Sequence, residues 1–85
     1  MLAGMVEPTN ASLILAAARS LTSRGVSPFA RIAVYEEVWR SHPDRQRGSL
    51  DPTFQGMVAN APGGPTSALG TPLRRVERGL YELVR

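Results

Sequence analysis

Apolar residues recur along this chain at two spacings, and the change of spacing divides it. Over residues 10–24, Ile14, Ala17, Ala18 and Leu21 follow the i, i+3, i+4, i+7 series of one helical face, widened by Leu13 and Leu15. Thr9 or Asn10 offers a capping oxygen to the first free amides. Gly25 stands where a helix closes in the left-handed conformation, with Val26 placed to fold back over the last turn. A second periodic run ends between Trp39 and Pro43. Its Ile32, Tyr35, Val38 and Trp39 lie close enough in angle to pack inward, with Val34 at the stripe's edge. Glu36 and Arg40 form an outward i, i+4 pair. The start of this helix has two readings. Ser27 caps a helix whose first residue is Pro28, or residues 26–29 are a short extended piece and the helix begins near Arg31.

A third helix is expected over residues 51–60. Asp51 is a good cap and Pro52 is pre-set for the first helical position. Phe54, Met57, Val58 and Ala61 face the core, leaving Thr53, Gln55, Gly56, Ala59 and Asn60 outward on a small, polar, uncharged face. Pro62, Gly63, Gly64 and Pro65 stop it. Residues 41–50 before it read as a polar loop carrying Arg45 and Arg47.

From Leu73 the pattern becomes extended. Leu73 and Val76 lie on one arm and Leu80, Tyr81 and Leu83 on the other, with Glu77, Arg78 and Gly79 between them. Gly79 can take the positive φ of a tight hairpin. Because a lone hairpin is barely stable in water, this one must lie against the helices, and a short strand at residues 26–29 is a natural third partner. The pattern is therefore mainly α with a small β-hairpin: three helices and a C-terminal wing, the order of a winged helix-turn-helix.

Eighty-five residues make one domain. Residues 1–8 read as a flexible leader and residues 9–85 as the winged-helix domain. The leader is too short for a membrane span and lacks the parts of a secretion signal, so a cytoplasmic location at the nucleoid is expected. There is no cysteine, and His42 is the only histidine, so neither a disulfide nor a Cys/His metal site can form. His42 has Asp44 and several serines nearby, but closeness in a polar loop is no triad. Paired carboxylates are lacking, and Gly63 and Gly64 are without the Lys and Ser/Thr of a phosphate loop. No catalysis, cofactor or small-molecule substrate is expected.

All ten basic residues are arginine, and the net charge is +3. Arginine offers a planar fork to phosphate or guanine, and the charge suits an anionic partner. Three arginines (Arg74, Arg75 and Arg78) fall in the hairpin, next to a helix with a polar face.

The run Phe54-Gln55-Gly56-Met57-Val58-Ala59-Asn60-Ala61-Pro62-Gly63-Gly64-Pro65, together with Thr71-Pro72-Leu73-Arg74-Arg75-Val76-Glu77-Arg78-Gly79-Leu80-Tyr81-Glu82-Leu83, resembles a family of small bacterial winged-helix-like domains found alone or attached to larger DNA-processing proteins. The resemblance covers about residues 10–84 and is most specific over residues 55–83. It implies DNA binding by analogy of fold. The chain departs from it at Ala30, where such domains often start their second helix with a capping Ser or Thr.

The expected function is binding of double-stranded DNA by a nucleoid-associated or regulatory factor. The helix at 51–60 enters the major groove, and the hairpin at 71–85 lies on the backbone or in the minor groove. Thr53, Gln55 and Asn60 read bases, while Arg45, Arg47, Arg74, Arg75 and Arg78 contact the backbone. Four to six phosphate contacts correspond to a salt slope of roughly −4 to −5. A homodimer would double them. The rival reading is a protein-interaction module without direct DNA binding, with Trp39, if exposed, as a hot spot.

Overall fold

A computed structural model describes residues 8–59 and 70–84. The element order is α1 (Asn10–Ser23), β1 (Phe29–Ala30), α2 (Arg31–Ser41), α3 (Arg47–Gly56), β2 (Leu73–Glu77) and β3 (Leu80–Leu83). Three helices pack beside a small antiparallel sheet of order β1-β3-β2. This is the layout of a winged helix-turn-helix.

α1 forms as its stripe dictates. The Thr9 hydroxyl accepts from the Ser12 amide, and Ala11, Ile14, Ala17, Ala18 and Leu21 are buried. Gly25 has φ +83°, and the Val26 amide reaches back to the Leu21 carbonyl at 2.9 Å, closing the helix. Phe29 and Ala30 are extended and pair with Tyr81 and Leu80, so α2 begins at Arg31 and not at Pro28. The Ala30 side chain gives this helix no cap.

The inward face of α2 differs from the expected one. Val34, Tyr35 and Val38 are buried, Trp39 is partly so, and Ile32 is 40% exposed. Val34 thus takes the inward place expected for Ile32. Arg40 lies against Glu37, 3.7 Å away, in place of the expected pairing with Glu36. Glu37 in turn receives two bonds from Arg24, at 2.9 and 3.2 Å, and one from Ser20 at 2.9 Å, which tie α1 to α2.

The largest correction concerns the third helix, expected over 51–60. It runs one turn earlier, from Arg47 to Gly56, with Gln46 at its N-cap and Pro52 inside it. Leu50 explains the shift: it is buried with Phe54, Met57 and Val58, so the apolar stripe begins one turn before Phe54. Burying a leucine contributes about 1.5–3 kcal/mol, which offsets the one helical bond that Pro52 cannot make. Gly56 is buried and not outward. Past it the chain turns at Met57 and joins the wing. Val58 bridges Leu73, the Ala59 amide donates to the Leu73 carbonyl at 2.7 Å, and the Leu73 amide donates to the Met57 carbonyl at 3.1 Å. Expectations for Asn60, Ala61, the stop at residues 62–65 and most of the following loop concern positions outside the described residues.

In the wing, β2 pairs with β3 in the register Leu73↔Leu83, Arg74↔Glu82 and Arg75↔Tyr81, then shifts by a bulge to Glu77↔Leu80. The turn contains Gly79 at φ +79°. Val76 is the residue the bulge displaces, and it is 45% exposed. Leu73 and Tyr81 join Phe29 in the core.

Candidate nucleic-acid interface

The aromatic residues form a continuous line behind α3. Trp39 and Tyr35 lie 6.0 Å apart, Tyr35 meets Phe54 edge to face at 5.9 Å, and Phe54 meets Tyr81 the same way at 4.9 Å. The line runs from α2 through α3 to β3, so it fixes the helix relative to the wing. Two arginines cover it from the solvent side. The guanidinium of Arg31 sits 4.7 Å above the Phe54 ring and that of Arg47 5.5 Å from the Tyr35 ring.

Around Arg31 the polar groups are interlocked. Its Nη2 donates to Gln55 Oε1 at 3.2 Å and to the Tyr81 hydroxyl at 3.4 Å, and its Nη1 lies 3.5 Å from Asp51 Oδ1. The same Asp51 oxygen accepts from the Tyr35 hydroxyl at 2.5 Å, and Arg47 Nε is 3.8 Å from the other carboxylate oxygen. Burial alone would lower the Arg31 pKa, but the Tyr81 bond and nearby Tyr35 and Asp51 outweigh it, so the pKa is raised and the group stays charged. Burial, then the bond to Asp51, pushes the Tyr35 phenol well above its ordinary value. Asp51, expected as a helix cap, instead lies mid-helix, accepting from Tyr35 and ion-paired with Arg31 and Arg47.

The residues expected to touch DNA fall into distinct situations. Gln55 is exposed at the end of α3, with its carbonyl oxygen held by Arg31. Thr53 is half-buried, and its hydroxyl turns back to the Ser49 carbonyl. Asn60 lies outside the described residues. Arg45 is drawn inward: its side chain is only 16% exposed, with Nη1 on Asn10 Oδ1 at 2.8 Å and Nη2 on the Pro8 carbonyl at 2.9 Å. Arg45 thus joins the segment before α3 to the start of α1, and Pro8 is tied in by the same side chain. The Arg45 carbonyl also accepts from Trp39 Nε1 at 2.6 Å, so Trp39 is a half-buried brace and not an exposed hot spot.

Arg47 is 57% exposed at the first position of α3. On the wing, Arg74, Arg75 and Arg78 are exposed. Arg74 is paired with Glu82, Arg75 stands opposite Tyr81, and Arg78 occupies the turn with no ion-pair partner among the described residues. Gln55 and Arg74 adjoin in sequence the helix–wing junction that the Val58–Leu73 bridge closes, while Arg47 starts the same helix at its other end and Arg78 stands at the hairpin turn.

Sequence reasoning missed Arg31. The signal it carried was position: an arginine at the first residue of a helix that directly follows a strand must start next to the sheet.

The winged-helix layout defines the class of fold. The chain matches the family described as a domain of unknown function, DUF7669, over residues 9–83, and it belongs to that family. No curated protein and no solved structure matches it. Among the described residues, no helix is long and apolar enough to cross a membrane, and no group of three or more His, Cys, Asp or Glu is placed to hold a metal ion.

Proposed function

We infer that the domain binds double-stranded DNA as a winged helix, with α3 presented to the major groove and the β2–β3 hairpin on the adjacent backbone or minor groove. The observation that carries this reading is the junction itself. A hairpin with three exposed arginines is bonded to the end of a helix whose exposed residues include Arg47 and Gln55. In this arrangement Arg47, Arg74, Arg75 and Arg78 contact phosphates and set the register, and Gln55 reads a base edge. Arg45 is left out because its guanidinium is bonded to Asn10 and Pro8. Asn60 and Thr53 remain base-reading candidates, with the Thr53 hydroxyl needing to leave Ser49 first. Two copies on one duplex would double the contacts, and a regulatory or nucleoid-associated role in the cytoplasm follows from such binding. Catalysis has no part in it.

Fluorescence anisotropy with a labelled duplex over a salt series tests the reading. Four phosphate contacts give a slope of log K against log salt of roughly −3.6 for one copy. The triple variant of Arg74, Arg75 and Arg78 to alanine should remain folded and lose most of that slope. Equal binding by variant and wild type at every salt concentration would remove the wing from the interface.

The exposed apolar residues Val26, Ile32, Val76 and Val84 support a second reading, a protein-docking module. A wild-type domain that binds no duplex even at low salt would favour it.

A further inference from the structure

The Arg31–Gln55 contact bears on which base Gln55 reads, and so rests on the DNA-binding role above. A free glutamine amide offers a carbonyl acceptor and an NH2 donor side by side, which matches the N6 donor and N7 acceptor of adenine. Here one of the carbonyl oxygen's two lone pairs is engaged: Arg31 Nη2 donates to it at 3.2 Å. Arg31 cannot easily swing away to release it. Phe54 lies 4.7 Å beneath its guanidinium, Tyr81 accepts from the same Nη2, and Asp51 is 3.5 Å from Nη1. The side chain of Arg31 is only 27% exposed, so these partners hold it on several sides.

We propose that Arg31 is a specificity-positioning residue: by holding Gln55 Oε1, it makes Gln55 present its NH2 donors outward and so selects guanine over adenine at the base it meets. Guanine's major-groove edge carries two adjacent acceptors, O6 and N7, and no donor. Adenine would place its N6 donor against an oxygen that already serves Arg31, with the arginine's positive charge behind it. The ordinary expectation for a glutamine on a recognition helix is therefore reversed by a neighbour that itself need not touch DNA.

The test is selection of bound sites from a random-sequence duplex pool by wild type, Gln55→Ala, Arg31→Met and Arg31→Lys proteins, with melting curves for each. In wild type, the position whose preference disappears with Gln55→Ala should be guanine, favoured over adenine about tenfold, the ratio expected for a good donor–acceptor match. That comparison needs no change at Arg31, so it stands even if Arg31→Met unfolds. In a folded Arg31→Met protein the same position should shift toward adenine. Arg31→Lys, which keeps the charge but not the planar fork, should weaken the guanine preference in the same direction. A Gln55-dependent position that selects adenine in wild type, or one that shows no base preference, would overturn the inference while leaving DNA binding intact. A wild-type domain that enriches no duplex would overturn the DNA-binding reading and this inference with it.

Discussion

The Tyr35 hydroxyl donates to Asp51 Oδ1 at 2.5 Å, joining the middle of α2 to the middle of α3. The bond sits beneath the Arg31 and Arg47 guanidinium groups, and it requires Tyr35 to keep its proton. The phenol's pKa is raised above its ordinary 10.0, first by burial and then by this bond. A group whose folded pKa is raised stabilises the fold fully below its unfolded pKa, and that stability is lost as pH rises toward the folded value. Wild type should therefore lose stability steadily above about pH 10. Tyr35→Phe should be less stable at neutral pH, by about 1 kcal/mol for one lost hydrogen bond. Its stability should also depend less on pH in the alkaline range. Thermal melts at neutral pH and above pH 10 would check both; equal alkaline slopes would separate Tyr35 from the effect.

Phe54 packs between Tyr35 and Tyr81 and carries Arg31 on its face. Phe54→Ala should cost ~3–5 kcal/mol, through lost transfer energy and the cavity left behind. For so small a domain that approaches the whole stability of the fold, so chemical denaturation should start from a largely unfolded baseline. A variant that melts with wild type would mean that α3 is not anchored through this ring.

Arg45 and Arg78 should behave as opposites although both are arginines near the candidate interface. Arg45→Met removes charge-assisted bonds to Asn10 and Pro8 and should destabilise the fold by ~1–3 kcal/mol without changing the salt slope of DNA binding. Arg78→Ala should leave the melting temperature unchanged and reduce that slope by about one. Calorimetry and anisotropy on the same two proteins separate the roles. A change of slope in the Arg45 variant would return that residue to the interface.

Glu37 predicts the acid limb. Its pKa is lowered from 4.5, chiefly by the Arg24 bonds and then by Ser20. A carboxylate depressed in the folded state stabilises the fold above its unfolded pKa, and that help disappears as pH falls through the folded value. Melting temperature should drop below about pH 4.5, and Glu37→Gln should show a shallower drop from a lower neutral value. Parallel acid profiles for the two proteins would refute this.

The sequence was most legible where one local signal acted alone. The α1 stripe, Thr9 and Gly25 agree with one another, and α1 formed with those boundaries almost to the residue. The wing was legible through Leu73, Tyr81 and Gly79, but not the bulge that turns Val76 outward, since a register shift depends on the partner strand. For α3, Asp51 and Pro52 gave a strong local start signal that burial of Leu50 overrode, because packing outweighs capping when both cannot be satisfied. At the candidate interface, Gln55 was readable as an outward residue from helical spacing alone. Its clamp was not, because the partners of Arg31 lie 24 and 50 positions further along the chain.

Two hydrogen bonds, Leu73 to Met57 and Ala59 to Leu73, clasp the end of α3 to the start of β2. Helix and wing are thus held together at the neck of the connector, and the length of the connector has little influence on their mutual position. Closing a longer loop costs only ~0.6 kcal/mol for each doubling of its length. The connector is accordingly the place to splice in a reporter peptide, an affinity tag or a whole guest domain. It is equally where the chain of a relative could grow without disturbing the pairing of α3 with β2.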